Sequence, residues 1–183
     1  AFSTSGVCAP SRATLATGVY ANSFGAQNMR TMWAEPNARR SGIIDYEAVP
    51  PPNVKMVSDI IRENGYYATN NSKTDYQFEM SVMAWDESSN DAHWKNRPDS
   101  NTPFFSIFNF NQTHEGNFFS NWDDEEFLVP ENAKIDIPPY LPQNNIGERD
   151  LKKVYTRIVK LDEWIGKKIK ELEDEGLLEN TIV

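Results

Sequence analysis

The sequence predicts an α/β fold in which a largely parallel sheet is flanked by helices. Two short apolar runs, 66–69 and 104–110, are typical of strands. They alternate with segments whose apolar residues recur at helical spacing, of which 151–172 is the clearest. Strands and helices that alternate along a chain, joined by long loops, indicate a parallel sheet.

The first predicted helix begins close to Cys8. Residues 11–17 have good helix content, and Gly18 after them is a usual C-terminal stop. Pro10 suits the first turn, because its missing N–H costs nothing there. We therefore expect Cys8 at the N-terminus of a helix.

A second helix is predicted before the first strand. Gly65 closes it, and its apolar positions fall on one helical face: Val54, Val57, Ile60 and Ile61. The strand at 66–69 follows directly. This strand leads into a polar loop that contains Lys73.

The middle of the sequence has little periodicity. Residues 77–102 are irregular and polar, and we expect Trp85 and Trp94 to anchor them. The strand at 104–110 follows, and a polar loop comes after it. Residues 115–145 then form a long loop, which includes an acidic run of four residues.

A long amphipathic helix follows that loop and ends at Gly176. Residues 177–183 indicate a helix exit followed by the first residues of another apolar strand. The helix is a packing element without evident chemistry. Its apolar positions are Leu151, Val154, Tyr155, Ile158, Leu161, Ile165, Ile169 and Leu172.

Composition limits the class of protein. The chain has 183 residues, which suffices for one sizeable domain. Its net charge of −9 argues against nucleic acid as a partner. No stretch of the sequence is apolar enough to span a membrane. A single cysteine excludes an internal disulfide, and one cysteine with two histidines makes a zinc site improbable.

Cys8 is the most informative residue of the chain. A lone cysteine is most often a small buried hydrophobic residue. A phosphatase-type thiol would need arginine at position 14, where the chain has Thr14, and Arg12 comes too early. Neither pattern accounts for the residues that follow Cys8.

Those residues resemble the signature in which sulfatases carry a cysteine that is oxidised to formylglycine. The signature has Cys, one free position, Pro-Ser-Arg, three free positions and Leu-Thr-Gly. Ala16 replaces the leucine, which is a mild departure at a packing position. The matching residues are Cys8, Pro10, Ser11, Arg12, Thr17 and Gly18.

This resemblance implies an alkaline-phosphatase-like fold and hydrolysis of a sulfate ester or sulfamate. The residue formed from Cys8 would attack sulfur as a hydrated aldehyde. A helix N-terminus favours an anion, and Arg12, about one turn on, would point its guanidinium at the same oxygens. Calcium or another divalent metal would bind beside Cys8, which is the metal ligand that the resemblance assigns within this chain.

Lys73 is similar to the lysine that sulfatases carry at a strand end, usually in Gly-Lys-x-His. Ser72 replaces the glycine, and Asp75 stands at or next to the position of the histidine. The resemblance therefore assigns Lys73 to catalysis and to substrate binding, and Asp75 to substrate binding. By itself, Lys73 would be interpreted as a solvated loop lysine.

His114 follows the strand at 104–110 and matches the mid-chain histidine of the family. The resemblance implies that it contacts the sulfate or the leaving oxygen, as a catalytic and substrate-binding residue. Asn111 stands where some members have a second histidine, and it is a substrate-binding candidate. His93 has no such context and is interpreted as structural or as part of the substrate rim.

The resemblance also implies the surroundings of the enzyme. Its partners would be a formylglycine-generating enzyme and a sulfated small molecule or glycan. Its location would be periplasmic, secreted or lysosomal. Sulfatases place paired metal-binding aspartates before the nucleophile, so we expect residues 1–183 to be the central part of one catalytic domain, truncated at both ends and incomplete as a fold.

Two other functions stay open. A phosphomonoester or phosphonate hydrolase of the same superfamily would use the same fold and the same modified residue. A non-catalytic binding or structural fragment would keep Cys8 unmodified. The order of segments resembles that of sulfamidases and polysaccharide sulfatases, which favours a sulfated glycan as the substrate.

Overall fold

The computed structural model describes residues 2–29, 42, 46–118, 127–130 and 132–183. They divide into two units, Ala1–Asn109 and Phe110–Val183, each with its own internal packing. The acidic run 123–126 of the long loop lies outside the described residues.

The first unit contains a three-stranded parallel sheet. Its strands are β1 (Tyr67–Asn71), β2 (Glu87–Ser88) and β3 (Phe104–Phe108), in the order β2-β1-β3. Thr69 pairs with Ser106 on one side of β1 and with Glu87 on the other. The predicted parallel sheet is confirmed, whereas β2 lies in a stretch for which the sequence predicts no regular structure.

Strand β1 is longer than predicted, because it includes Asn70 and Asn71, which the sequence analysis assigned to the following loop. Asparagine is a poor strand former. Here the amide of Asn70 is fully buried and bonds to side chains at the ends of both neighbouring strands. The cost of an asparagine in the sheet is thus offset by hydrogen bonds that only the assembled sheet supplies.

Helix α1 spans Cys8–Thr17 and ends at Gly18, whose φ of 68° suits a residue without Cβ. The helix therefore begins at Cys8, as predicted. Helix α2 is short and spans Val57–Glu63, and Asp59 accepts a bond from the N–H of Met56 at its start. Val54, which the sequence analysis placed on this helix, precedes it.

The apolar core of the first unit joins α1 to the sheet. Ala13 and Ala16 of α1 and Ala68 of β1 belong to one buried cluster. Trp85 stacks on Phe105 of β3 with 6.1 Å between ring centroids. Trp85 and Trp94 are both buried, so the anchoring role predicted for the two tryptophans is confirmed. Small residues on α1 allow the helix to lie close to the sheet that it packs against.

The second unit is organised by helix α3, Asn145–Asp174. The side chain of Asn144 caps it by accepting from the N–H groups of Ile146 and Gly147. Phe110 contacts Trp164 of this helix at 5.4 Å between ring centroids. The predicted long helix is confirmed, and it begins six residues earlier than the first apolar position, Leu151.

The predicted final strand is absent from the described structure. Leu178–Asn180 forms a single 3-10 turn instead, and residues 181–183 belong to no strand. In addition, none of the described helices has the length and apolar content that crossing a membrane requires.

Candidate active site

Cys8 is the first residue of α1 and is partly exposed. Val7 occupies the N-cap position and offers no side-chain acceptor to the first turn, which also contains no acidic residue. The Cys8 thiol contacts the Met29 thioether, with 3.9 Å between the sulfur atoms. An uncapped helix N-terminus presents N–H groups and a partial positive charge, so the surroundings of Cys8 favour an anion.

Arg12 lies one turn after Cys8 and joins α1 to the loop that follows β1. Its Nη2 donates to the main-chain oxygen of Lys73 at 2.5 Å. The guanidinium carbon also lies 5.5 Å from the centre of the Tyr76 ring. The Nε of Arg12 is enclosed and has no hydrogen-bond partner among the described residues. Arg12 is therefore fixed on two sides and is not a solvated surface arginine.

Lys73 and Asp75 form an ion pair, with 3.2 Å between Nζ and Oδ2. The side chain of Asp75 is 8% exposed and that of Lys73 24%. Asp75 has a φ of 32°, in the region that residues other than glycine seldom occupy. Such backbone conformations cluster at functional sites and persist where the surrounding structure imposes them. The loop thus holds both side chains in a defined arrangement.

Tyr76 supports this arrangement and was not identified from the sequence. It is buried and stacks on Phe78, with 5.4 Å between ring centroids. Burial raises the pKa of the Tyr76 phenol, and the neighbouring charge and hydrogen bond of Arg12 offset only part of that rise. The phenol stays neutral at physiological pH and presents a polarisable face to the guanidinium. The feature of the sequence that indicates this supporting role is the position of Tyr76, three residues after Lys73.

Asparagine side chains connect the ends of the three strands. Asn70 donates to Ser88 Oγ at 3.1 Å and accepts from Asn109 Nδ2, also at 3.1 Å. Asn71 donates to the main-chain oxygen of Asn90 at 2.5 Å. Sequence reasoning noted Asn70 and Asn71 only as part of the Lys73 loop and missed Asn109. Poor strand formers at the carboxyl ends of two predicted strands were the available signal.

His114 and Asn111 belong to the second unit. His114 follows the 3-10 turn Asn111–Thr113 and is exposed. Its Nδ1 accepts a bond from the N–H of Gly116 at 3.1 Å. Because Nδ1 is an acceptor, the proton of the neutral imidazole is on Nε2. Asn111 is exposed as well, and its main-chain oxygen accepts from the N–H of His114 at 3.0 Å.

His93 has a structural place in the first unit. Its Nδ1 accepts from the N–H of Lys95 at 3.2 Å and so caps the 3-10 turn Trp94–Asn96. Its ring packs on Trp94 and Phe108, with centroid distances of 4.1 and 5.2 Å. These contacts support the structural interpretation of His93.

The described residues do not form a metal centre by themselves. No three histidine, cysteine, aspartate or glutamate side chains in that part of the chain are grouped so that they could hold an ion. The first unit connects Arg12, which lies one helical turn after Cys8, to the main chain of Lys73, and it pairs Lys73 with Asp75.

Comparison with known proteins gives one clear relationship. The chain is 43% identical to an ulvan-active sulfatase of Formosa agariphila, in an alignment of 215 positions that includes the whole chain. That alignment covers 35% of the relative, so the chain spans about a third of the length of the curated protein it matches. No protein-family model matches the chain.

Proposed function

We propose that this chain, which belongs to the sulfatase family, carries the nucleophile and the anion-binding cations of an enzyme that hydrolyses a sulfate ester or a sulfamate. One observation carries the proposal. Arg12 lies on α1, inside the signature that begins at Cys8. Its guanidinium donates a hydrogen bond to the main-chain oxygen of Lys73, which belongs to the loop after β1. This bond joins two segments that the sequence separates by sixty residues, and it supports the proposal that Arg12 and Lys73 serve one site near the N-terminus of α1.

The charges of this site suit a sulfate group. Arg12 and Lys73 would neutralise the oxygens on which negative charge develops during the reaction. Asp75 would hold the Lys73 ammonium in position through the 3.2 Å ion pair. Formylglycine formed from Cys8 would supply the attacking oxygen. Cys8 lies at an uncapped helix N-terminus. This position supports the role, because the helix dipole favours the anionic form of a nucleophile there.

His114 would donate a proton to the leaving oxygen. The bond from Gly116 occupies Nδ1 and directs the proton of the neutral ring to Nε2. This nitrogen belongs to an exposed side chain, so it is accessible to a substrate. Asn111 would contact the substrate beside it. In the neutral ring, the Nε2–H of His114 can donate a hydrogen bond to the leaving oxygen. Transfer of the proton requires the imidazolium form, which carries a proton on both nitrogens and therefore releases the bond from Gly116.

Calcium, or another divalent metal, would bind next to Cys8. The metal would supply positive charge that favours ionisation of the nucleophile. Among the described residues only Cys8 is proposed as a ligand, because no group of ligating side chains forms a site there. The remaining ligands would come from a longer enzyme, of which residues 1–183 would be the nucleophile-bearing part. The 35% coverage of the relative supports this proposal.

A sulfated glycan is the proposed substrate class. The relative is named for its action on ulvan. The proposed location is periplasmic, secreted or lysosomal, as the resemblance to sulfatases implies. A formylglycine-generating enzyme would be the partner that modifies Cys8.

The test uses the full-length protein that contains this chain, produced in a host that modifies such cysteines. Mass spectrometry of the peptide that ends at Arg12 should show loss of the thiol and reaction with carbonyl reagents. Hydrolysis of an aryl sulfate should exceed that of the matched aryl phosphate. Faster phosphate hydrolysis would indicate a phosphatase, and a fully alkylatable Cys8 in inactive protein would indicate a non-catalytic fragment.

A further inference from the structure

The asparagine cluster, defined as Asn70, Asn71 and Asn109, lies at the carboxyl ends of β1 and β3. Asn70 is fully buried, with no exposed surface. Its amide connects Ser88 of β2 with Asn109 directly after β3. Side-chain bonds thus cross all three strands at one level of the sheet. Buried polar groups are costly unless each is satisfied, so this level is specified more tightly than an apolar one.

Asn109 is the member that reaches the main chain of the Lys73 loop. Its Nδ2 donates to the Asn71 oxygen at 2.8 Å, and its own N–H donates to the same oxygen at 2.7 Å. This oxygen belongs to the peptide bond that leads into Ser72. The two bonds fix that peptide plane at the point where the chain leaves β1 for the loop.

Further contacts hold the loop at Ser72 and at Lys73. The Ser72 hydroxyl donates to Asn90 Oδ1 at 2.5 Å. The main-chain oxygen of Lys73 accepts from Arg12, and its ammonium pairs with Asp75. The side chain of Asn71 donates to the main chain of the segment after β2. Asn109 therefore holds the first of three successive residues, 71 to 73, that are each tied to a different part of the first unit.

We propose that Asn109 is a positioning residue for Lys73, a role that rests on the proposed sulfatase function. It touches neither the substrate nor the metal. Its amide holds the Asn71 peptide so that the Lys73 side chain meets the transition state in a fixed place. Displacement of a catalytic group by about 1 Å can cost about 10²-fold in rate, so the link is large enough to measure.

Asn109→Asp is the most direct test, because it keeps the shape and replaces a donor by an acceptor. Asn70 can turn its amide to satisfy a carboxylate, but the main-chain oxygen of Asn71 cannot become a donor. We expect kcat and kcat/KM to fall together by about 10–10²-fold with KM little changed, the pattern of an interaction made in the transition state. Asn109→Ala, which introduces no charge, serves as the second variant if the first does not fold.

Thr69→Val is the matched control. Thr69 donates to Ser106 Oγ at 2.8 Å and joins the same two strands, on the opposite face of β1 from Asn70. Loss of this hydrogen bond in Thr69→Val should lower the melting temperature and leave the kcat of the folded protein unchanged. If Asn109→Asp and Asn109→Ala behave like Thr69→Val, the role of Asn109 is only structural and the proposal is wrong.

A second measurement separates this proposal from the function on which it rests. Lys73→Ala should by itself lower kcat, and Asn109→Asp added to it should have no further effect, because the two residues act as one unit. If Asn109→Asp lowers the kcat of Lys73→Ala by the same factor as it lowers that of the parent protein, the positioning role of Asn109 is wrong. Lys73 would then still be a catalytic residue. Parent-like turnover of Lys73→Ala would overturn both the proposed role of Lys73 and that of Asn109.

Discussion

At the scale of single residues, the two histidines of the chain show how local bonds separate chemistry from packing. Both use Nδ1 to accept a main-chain N–H two residues on. The ring of His93 is covered by Trp94 and Phe108, whereas His114 is exposed. The same local bond thus caps a turn at His93, and at His114 it leaves the Nε2 of an exposed ring for the role that we propose.

The matched substitutions His114→Ala and His93→Ala test this difference. In the full-length protein, His114→Ala should lower turnover of an aryl sulfate by about 10²–10⁴-fold, the range for a lost proton donor. His93→Ala should instead lower the melting temperature, since it removes a cap and ring contacts, with little change of kcat in the folded protein. Equal losses of turnover in the two variants would show that the assignment of roles is wrong.

At the scale of elements, one ion pair ties α2 to the sheet. Arg62 of α2 donates to Asp86 Oδ1 at 2.7 Å and also to the main-chain oxygen of Met83. The other oxygen of Asp86 accepts the N–H of Ala68 in β1 at 2.8 Å. Burial raises the pKa of Asp86, but the bonds from Arg62 and Ala68 and the Arg62 charge outweigh it, so that the pKa is lowered.

This lowered pKa predicts how stability depends on pH. A carboxyl group whose pKa is lower in the folded state stabilises the protein above its unfolded pKa, near 3.8, and the contribution is lost as pH falls through the folded pKa. Asp86→Asn should cost about 1.5–3 kcal/mol near neutral pH, the range for a hydrogen bond to a charged group. The difference in melting temperature between parent and variant should shrink below about pH 4. A difference that stays constant down to acid pH would contradict the assignment.

At the scale of the whole molecule, the described part of the chain contains both cations of the proposed site, Arg12 and Lys73, and no complete metal centre. Arg12 bonds to the main chain of Lys73 within the first unit, and the described residues offer no group of three ligands for an ion. The full-length protein should therefore lose activity with a chelator and recover it with calcium.

Residues 1–183 expressed alone provide the contrasting case. We expect this chain to bind calcium weakly and not to hydrolyse an aryl sulfate, even with Cys8 modified, because the ion that favours the ionised nucleophile is not held. Calorimetry with calcium and an activity assay measure both properties. Tight calcium binding together with calcium-dependent hydrolysis by the isolated chain would refute the proposal that the remaining ligands lie elsewhere.

The sequence by itself determined the elements that depend on local chemistry. Pro10 and Gly18 delimit a helix that begins at Cys8, and periodicity predicted α3, because both signals act within a few turns. The signature around Cys8 indicated the family for the same reason, since its demanding residues are contiguous. The prediction of β3 rested on a run of aromatic residues after Pro103, which is also a local signal.

Only the tertiary structure decided how these elements meet. Strand β2 has two residues, too few for a pattern, and forms because β1 presents an edge to it. The extension of β1 through Asn70 and Asn71 depends on partners that lie eighteen to thirty-nine positions away in sequence. The bond from Arg12 to Lys73 depends on the core that packs α1 against the sheet. Contacts between distant residues leave no periodicity in the sequence, because they are created by packing and do not exist in the separate segments.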